Sequence, residues 1–204
     1  MYVGTSGWSY PSWRPGFYPG GTRPEQFLRF YSERLSTVEL NTTGYRLPAE
    51  EQFRRWAEQV PPRFLFAPKL NGHARAPVGA FVERVRLLGD RLGPVRVLIG
   101  SARDEGLLAL LGGSFDPGVR VAWDFRHDSW HGVELPAGTV GVNDLTGEAP
   151  FRYLRLREPP YSDDELCEWA ARIRAVEPPV FVYLRHEDEP SAPHYAERLL
   201  ELLA

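Results

Sequence analysis

The chain has 204 residues, 43% hydrophobic and 25% charged, with a formal net charge of −3. That suffices for one domain, residues 1–204, with a substantial core, and the acidic balance supplies no global basic field for nucleic acid. No run of about 18 apolar residues exists to span a membrane, no charged-then-apolar leader precedes the first strand, and a cytoplasmic location is expected. The single Cys167 excludes an internal disulfide and a cysteine zinc site. Positive charge is carried by 23 Arg and one Lys, Lys69. An amine kept where every other cation is a guanidinium suggests that its compact, titratable chemistry is wanted there.

In chain order, Tyr2–Ser6 reads as a short strand, followed by a Gly- and Pro-rich loop to Gly21 that crowds Trp8, Tyr10, Trp13, Phe17 and Tyr18. Those rings either pack the loop onto the core or wall a ligand site. Thr22-Arg23-Pro24-Glu25 reads as a capping-box helix start, with Phe27, Leu28, Tyr31 and Leu35 at helical spacing. Thr37–Asn41 is the second strand, with Glu39 and Asn41 on one face, and the helix after Pro48 carries Phe53, Trp56, Ala57 and Val60.

Phe64–Lys69 is the third strand, with Lys69 at its carboxyl end, and Phe81, Val85, Leu88 and Leu92 mark the third helix. Val95–Ile99 is the fourth strand, with a short helix over Glu105–Leu111. The fifth begins at Val121 and ends in charge: Ala122, Asp124 and Arg126 share one face, Val121, Trp123 and Phe125 the other. Gly138–Asn143, ending in Asn143-Asp144, is the sixth, and Phe151–Leu156 the seventh, with Tyr153, Arg155 and Arg157 on one face. Ser162-Asp163-Asp164-Glu165 is a second capping box, starting a helix to about Ala175 in which Cys167 and Trp169 are read as packing residues. Val180–Leu184 is the eighth strand, and Ser191 caps a last helix.

Eight strand-helix units imply a parallel sheet closed into a compact TIM-type (β/α)8 barrel. Only 131–137 and 145–150 remain as crossovers after strands five and six, so helices there are expected to be reduced or missing. In such a barrel the active site lies at the carboxyl ends of the strands. Glu39, Asn41, Lys69, Asp124, Arg126, Asn143, Asp144, Arg155, Arg157, Arg185, His186 and Glu187 all fall on that rim. Outward Val121, Trp123 and Phe125 lack a covering helix, so loop residues or a second subunit in a homodimer should bury them.

Several motifs resemble the YecE-like family, the domain of unknown function 72. They are Gly4-Thr5-Ser6-Gly7-Trp8-Ser9-Tyr10 with Trp13 and Phe17-Tyr18-Pro19; Val38-Glu39-Leu40-Asn41 with Tyr45-Arg46-Leu47-Pro48; Phe64–Lys69; and Asp124-Phe125-Arg126-His127 with Ser129-Trp130. The resemblance implies a TIM barrel and no established activity, with Glu39, Asn41, Tyr45, Lys69, Asp124, Arg126 and Arg155 as pocket residues. The sequence departs from the family's usual pattern at Gly44, near Leu98–Ser101, at Arg157-Glu158 and near Leu184–His186.

Three chemistries fit these residues. In the first, an enzyme binds a small phosphorylated or carboxylated ligand through Lys69 and arginines. Here Lys69 is flanked by Arg126 and Arg155, and its ammonium is disfavoured by like charge and burial. Glu39 and Asp124 move protons, and Trp8, Tyr10, Asn41, Tyr45, Asn143, Asp144 and Arg185 complete the ligand site. Lys69 would act as base, as Schiff-base nucleophile or simply as anion holder. In the second, Glu39, Asp124, Asp144, His73, His127, His186 and Glu187 supply ligands for a divalent-metal isomerase or phosphodiesterase; no tight His spacing supports it, and no metal site or cofactor is assigned. In the third, arginines and rings bind nucleic acid or another phosphorylated ligand without catalysis.

Overall fold

The computed structural model describes residues 1–73, 78–177 and 179–204. Its strands are β1 (Tyr2–Ser6), β2 (Thr37–Leu40), β3 (Leu65–Asn71), β4 (Val95–Ile99), β5 (Val121–Phe125), β6 (Val140–Gly141), β7 (Arg152–Leu156) and β8 (Val180–Leu184). The α-helices are α1 (Phe27–Arg34), α2 (Glu50–Gln59), α3 (Val78–Arg86), α4 (Glu105–Gly112), α5 (Asp163–Arg174) and α6 (Ser191–Leu203). All strand pairs are parallel, in the order β6-β5-β4-β3-β2-β1-β8-β7. A bridge between Val142 and Tyr153 brings the two outer strands together, so the sheet forms a nearly closed TIM-like barrel.

Alternation sorts the side chains into two layers. Outward Val95, Val97, Ile99, Val121, Trp123, Leu154, Leu156 and Val182 pack against helix faces such as Phe53 and Trp56 of α2 and Leu107, Leu108 and Leu111 of α4. Inward Ala67, Ala122, Val140, Phe151, Tyr153, Phe181 and Tyr183 fill the barrel as a separate apolar plug. Above that plug, toward the carboxyl ends of the strands, the interior becomes charged.

Several boundaries differ from expectation. Asn41 leaves β2 for a 3-10 turn, Asn41–Gly44. β3 runs two residues past Lys69, because Lys69, Leu70 and Asn71 pair with β4. Before α1 a 3-10 turn, Pro24–Gln26, replaces the expected Thr22 cap, and Gln26 Oε1 accepts from Arg23 N–H at 2.9 Å. The Ser162 capping box is present: Ser162 Oγ accepts from Glu165 N–H at 3.3 Å, and Glu165 Oε2 accepts from Ser162 N–H at 2.7 Å. Ser191 is the first residue of α6 and not its cap, and Cys167 is exposed because it lies off the Leu166-Ala170-Ile173 stripe of α5.

β5 is followed by one 3-10 turn, Asp128–Trp130, and the link from β6 to β7 holds no helix. The buried Arg152 guanidinium organises that link, donating to the carbonyls of Thr146 (2.9 Å), Asp144 (3.3 Å) and Gly147. A cation gathering three carbonyls satisfies loop backbone that a helix would otherwise satisfy internally. The apolar back of β5 is covered within the chain. Trp123 is 1% exposed and donates its indole N–H to Thr139 Oγ1 at 2.9 Å, while Phe125 stacks on Trp130 at 4.4 Å. Loop residues therefore bury this face without a second subunit.

Candidate functional site

The charged layer is built from inward positions of β1–β5 and β7. Glu39 of β2, with no exposed surface, is its centre. Glu39 Oε1 accepts from Arg96 Nη1 (2.8 Å) and Ser6 Oγ (3.1 Å) and lies 3.0 Å from Arg155 Nη2; Oε2 accepts from the Tyr153 hydroxyl at 2.6 Å. Burial alone would raise this carboxyl, but Arg155, Arg96 and the Tyr153 hydrogen bond outweigh it and hold Glu39 below its ordinary value. Arg96 reaches further, donating through Nε to Asp124 Oδ2 at 2.7 Å, and the same oxygen accepts from Arg126 Nη2 at 2.7 Å. Ser6 Oγ links Arg155 Nη2 (2.9 Å) and Asn41 Nδ2 (3.2 Å) into the network.

Lys69 stands beside this network without joining it. Its residue is 5% exposed, and among the described residues no carboxylate lies at ion-pair distance from its Nζ. The ammonium sits 4.6 Å from the centroid of the Tyr45 ring, a cation–π contact. Burial and the neighbouring Arg96 push its pKa below the ordinary lysine value, against the opposing pull of Tyr45 and Glu39.

Its position is fixed locally. The Thr43 hydroxyl accepts from Lys69 N–H at 2.9 Å and lies 2.8 Å from the Lys69 carbonyl, tying the 3-10 turn after β2 onto β3. At Gly44 the chain passes so close that a Cβ would lie 3.0–3.2 Å from the Lys69 Cδ, Cε and Cγ. A side chain there would press on the lysine stem, which is the physical meaning of glycine at this position.

A groove of about 670 Å³ adjoins the charged layer, lined by Trp8, Tyr10, Asn41, Tyr45, Arg46 and Trp56 among others. The crowded first loop divides between the two expected roles. Trp13, Phe17 and Tyr18 are core residues, while Trp8 packs edge-on against Trp56 and Tyr10 stacks on His186 at 4.7 Å, both facing the groove. Burial and the Glu39 charge push the Tyr10 phenol up to about 12.

Of the residues expected at the site, the fold brings together Glu39, Lys69, Asp124, Arg126, Arg155 and Asn41, with Trp8, Tyr10 and Tyr45 in the adjoining groove. Others have different tasks. Asn143, at φ 64°, presents its side-chain amide to the β7 backbone: Oδ1 accepts from Arg155 N–H at 2.6 Å and Nδ2 donates to Arg155 O at 3.2 Å. It substitutes for the strand residue that β6 lacks. Asp144 Oδ1 accepts from Thr146 N–H (2.9 Å) and its hydroxyl (2.7 Å), an Asx turn outside the mouth. Arg185 is exposed at the end of β8.

The cation beside Lys69 is Arg96, where Arg126 and Arg155 were expected, because β3 and β4 pair Lys69 directly with Arg96. Arg96, Tyr153, Ser6 and Thr43 hold Glu39 and Lys69 in place without having been expected among the site residues. Arg96 carried a usable signal: it alternates between apolar Val95 and Val97 with the same inward parity as Asp124. Among the described residues no three His, Cys, Asp or Glu side chains gather to hold a metal ion. Both central carboxylates already take guanidinium partners, which a cation would have to displace.

Residues 2–204 match the family described as "Protein of unknown function DUF72". The UPF0759 protein YecE of Escherichia coli K12 is 32% identical over 102 residues, which span 46% of this chain and 35% of YecE. The match thus covers about a third of that relative's length. A DUF72 family protein from Thermotoga maritima superimposes with a TM-score of 0.78 at 23% identity, covering 99% of this chain and 98% of the other. One from Enterococcus faecalis gives 0.74 at 16% identity, covering 89% and 95%. These likenesses speak for the barrel alone, whereas the family match runs through every segment that builds the charged mouth: the chain belongs to the DUF72 family.

Proposed function

We propose that the barrel mouth binds a small anionic ligand, phosphorylated or carboxylated, as an enzyme site in which Lys69 and the arginines hold the anion. The observation that carries this reading is a charge imbalance in a buried place. Among the described residues four cationic side chains, Lys69, Arg96, Arg126 and Arg155, surround two carboxylates, Glu39 and Asp124, and Lys69 has no carboxylate of its own. Buried excess charge is costly unless a counter-charge arrives, so the site favours an anion by design of its surroundings.

Within that site the two carboxylates suit different roles. Both oxygens of Glu39 are engaged and it is held ionised, which fits a fixed anion orienting Arg96 and Arg155. Asp124 keeps Oδ1 without a hydrogen bond among the described residues, which leaves it the carboxylate able to exchange a proton with a ligand. A second reading, non-catalytic capture of a phosphorylated ligand or nucleic-acid segment, is favoured by Tyr45, 80% exposed in the groove beside Arg46 and Arg55.

The test is a thermal-shift titration with phosphate, pyrophosphate and citrate against chloride at matched ionic strength. Stabilisation by the multivalent anions that is absent in Lys69→Met is expected. Equal stabilisation by chloride, or an unchanged response in the variant, contradicts the reading. Binding of a single-stranded oligonucleotide with a steep salt dependence would favour the second reading.

A further inference from the structure

We propose that Lys69 is a Schiff-base nucleophile, and that the ligand of the mouth carries an aldehyde or ketone carbonyl beside its anionic group. This rests on the anion-binding reading and adds a covalent chemistry to it.

Three features of geometry carry the step. The lysine is largely buried yet has no carboxylate at ion-pair distance, so nothing among the described residues holds it as an ion-paired ammonium. Its stem runs beside the side-chain-free Gly44 and its backbone is tied to the Thr43 hydroxyl, so the lysine is rooted at the turn after β2. Tyr45 covers it with a ring that is itself 80% exposed and lines the groove, so one side chain stands between the amine and a ligand there. The charged and titratable groups that act on Nζ are Arg96, Tyr45 and Glu39; burial and Arg96 lower its proton affinity. The composition agrees: a guanidinium holds an anion at least as well but stays protonated, and this is the chain's one exception to 23 arginines.

In the proposed step the Nζ lone pair adds to the carbonyl carbon. The carbonyl π electrons move to oxygen, which takes up a proton to give a carbinolamine. Loss of water from carbon and nitrogen leaves a C=N bond between ligand and Lys69. No oxidant or reductant is consumed. The ligand's anionic group would rest against Arg126 and Arg155, whose guanidiniums flank the mouth.

Lys69 is the one lysine of these 204 residues, so an ε-amine adduct within them maps to it, and the Met1 α-amine serves as the reference. The full-length protein is treated at pH 7 with sodium cyanoborohydride and either glyoxylate (anionic) or glycolaldehyde (neutral), and the adduct is located by peptide mass mapping. An ordinary lysine holds about a few hundredfold less free amine at pH 7 than an α-amino group, so an unremarkable Lys69 would be labelled far behind Met1. The expected result is Lys69 labelling at least as fast as Met1, faster with glyoxylate than with glycolaldehyde, and slowed by added phosphate. Labelling of Met1 alone, with phosphate still stabilising the protein, overturns this inference while leaving anion binding intact. Equal Lys69 labelling by both carbonyls without phosphate protection supports the nucleophile and removes the anion site.

Discussion

Lys69 and Arg96 face each other across the β3–β4 ladder, two cations on directly paired inward positions. Burial, and after it this pairing, disfavour the lysine's charged form in the folded state relative to the unfolded chain. Below its folded pKa the ammonium carries that penalty in full. Between the folded value and the ordinary 10.5 the unfolded chain binds more protons, so stability rises with pH and the penalty is gone above that window. Lys69→Met should therefore stabilise the protein at pH 7. Denaturant midpoints at pH 7 and pH 10 check this, the difference shrinking at the higher pH.

The Glu39 network also gains stability as pH rises, but in the acid range, because there the charged form is the one the fold favours. Glu39 is held below its ordinary 4.5, so the stability it supplies is present above that value and is lost as pH falls through the folded one. Glu39→Gln removes the negative charge that Arg96 and Arg155 share and is expected to cost about 3–5 kcal/mol. Tyr153→Phe should cost less, about 1–3 kcal/mol, and the double variant should fall short of the sum because both changes break one network. Urea unfolding of the three variants at pH 7, with wild type followed from pH 7 to pH 3, measures both effects.

Thr43 offers a way to disturb Lys69 without touching it. Thr43→Val keeps the volume but removes the hydroxyl that engages the Lys69 backbone. A loss of about 1–3 kcal/mol is expected, together with a weakened thermal response to phosphate. A variant that loses stability but binds phosphate as wild type does would show that the turn does not position the amine.

The barrel seam predicts a split between two substitutions at Asn143. Asn143→Gly keeps the left-handed backbone and loses the two bonds to Arg155, costing about 1 kcal/mol. Asn143→Ala adds the strain of a Cβ at positive φ, roughly 1–2 kcal/mol more. Hydrogen exchange at the Arg155 amide should quicken in both, since its acceptor is gone.

What the sequence determined by itself is the parity of each strand. A period of two places Glu39, Lys69, Asp124 and Arg155 on one side and Val97, Trp123 and Leu154 on the other, whatever the strands pair with. Eight such strands, most of them separated by helical spacing, were enough to name the barrel and the end that carries its charges. Which charges meet was decided only by tertiary structure. Arg96 lies 57 residues from Glu39 and 28 from Asp124, and its double partnership depends on the stagger between neighbouring strands, which no local pattern encodes. The same holds for Asn143 and Asp144. Their types and their place at a strand end were those of ligand-binding residues, but a two-residue β6 needed the Asn143 amide to hold its seam and Asp144 to turn the link. Backbone groups left unpaired by a short strand claim the nearest polar side chains, and that demand becomes visible only once the barrel closes.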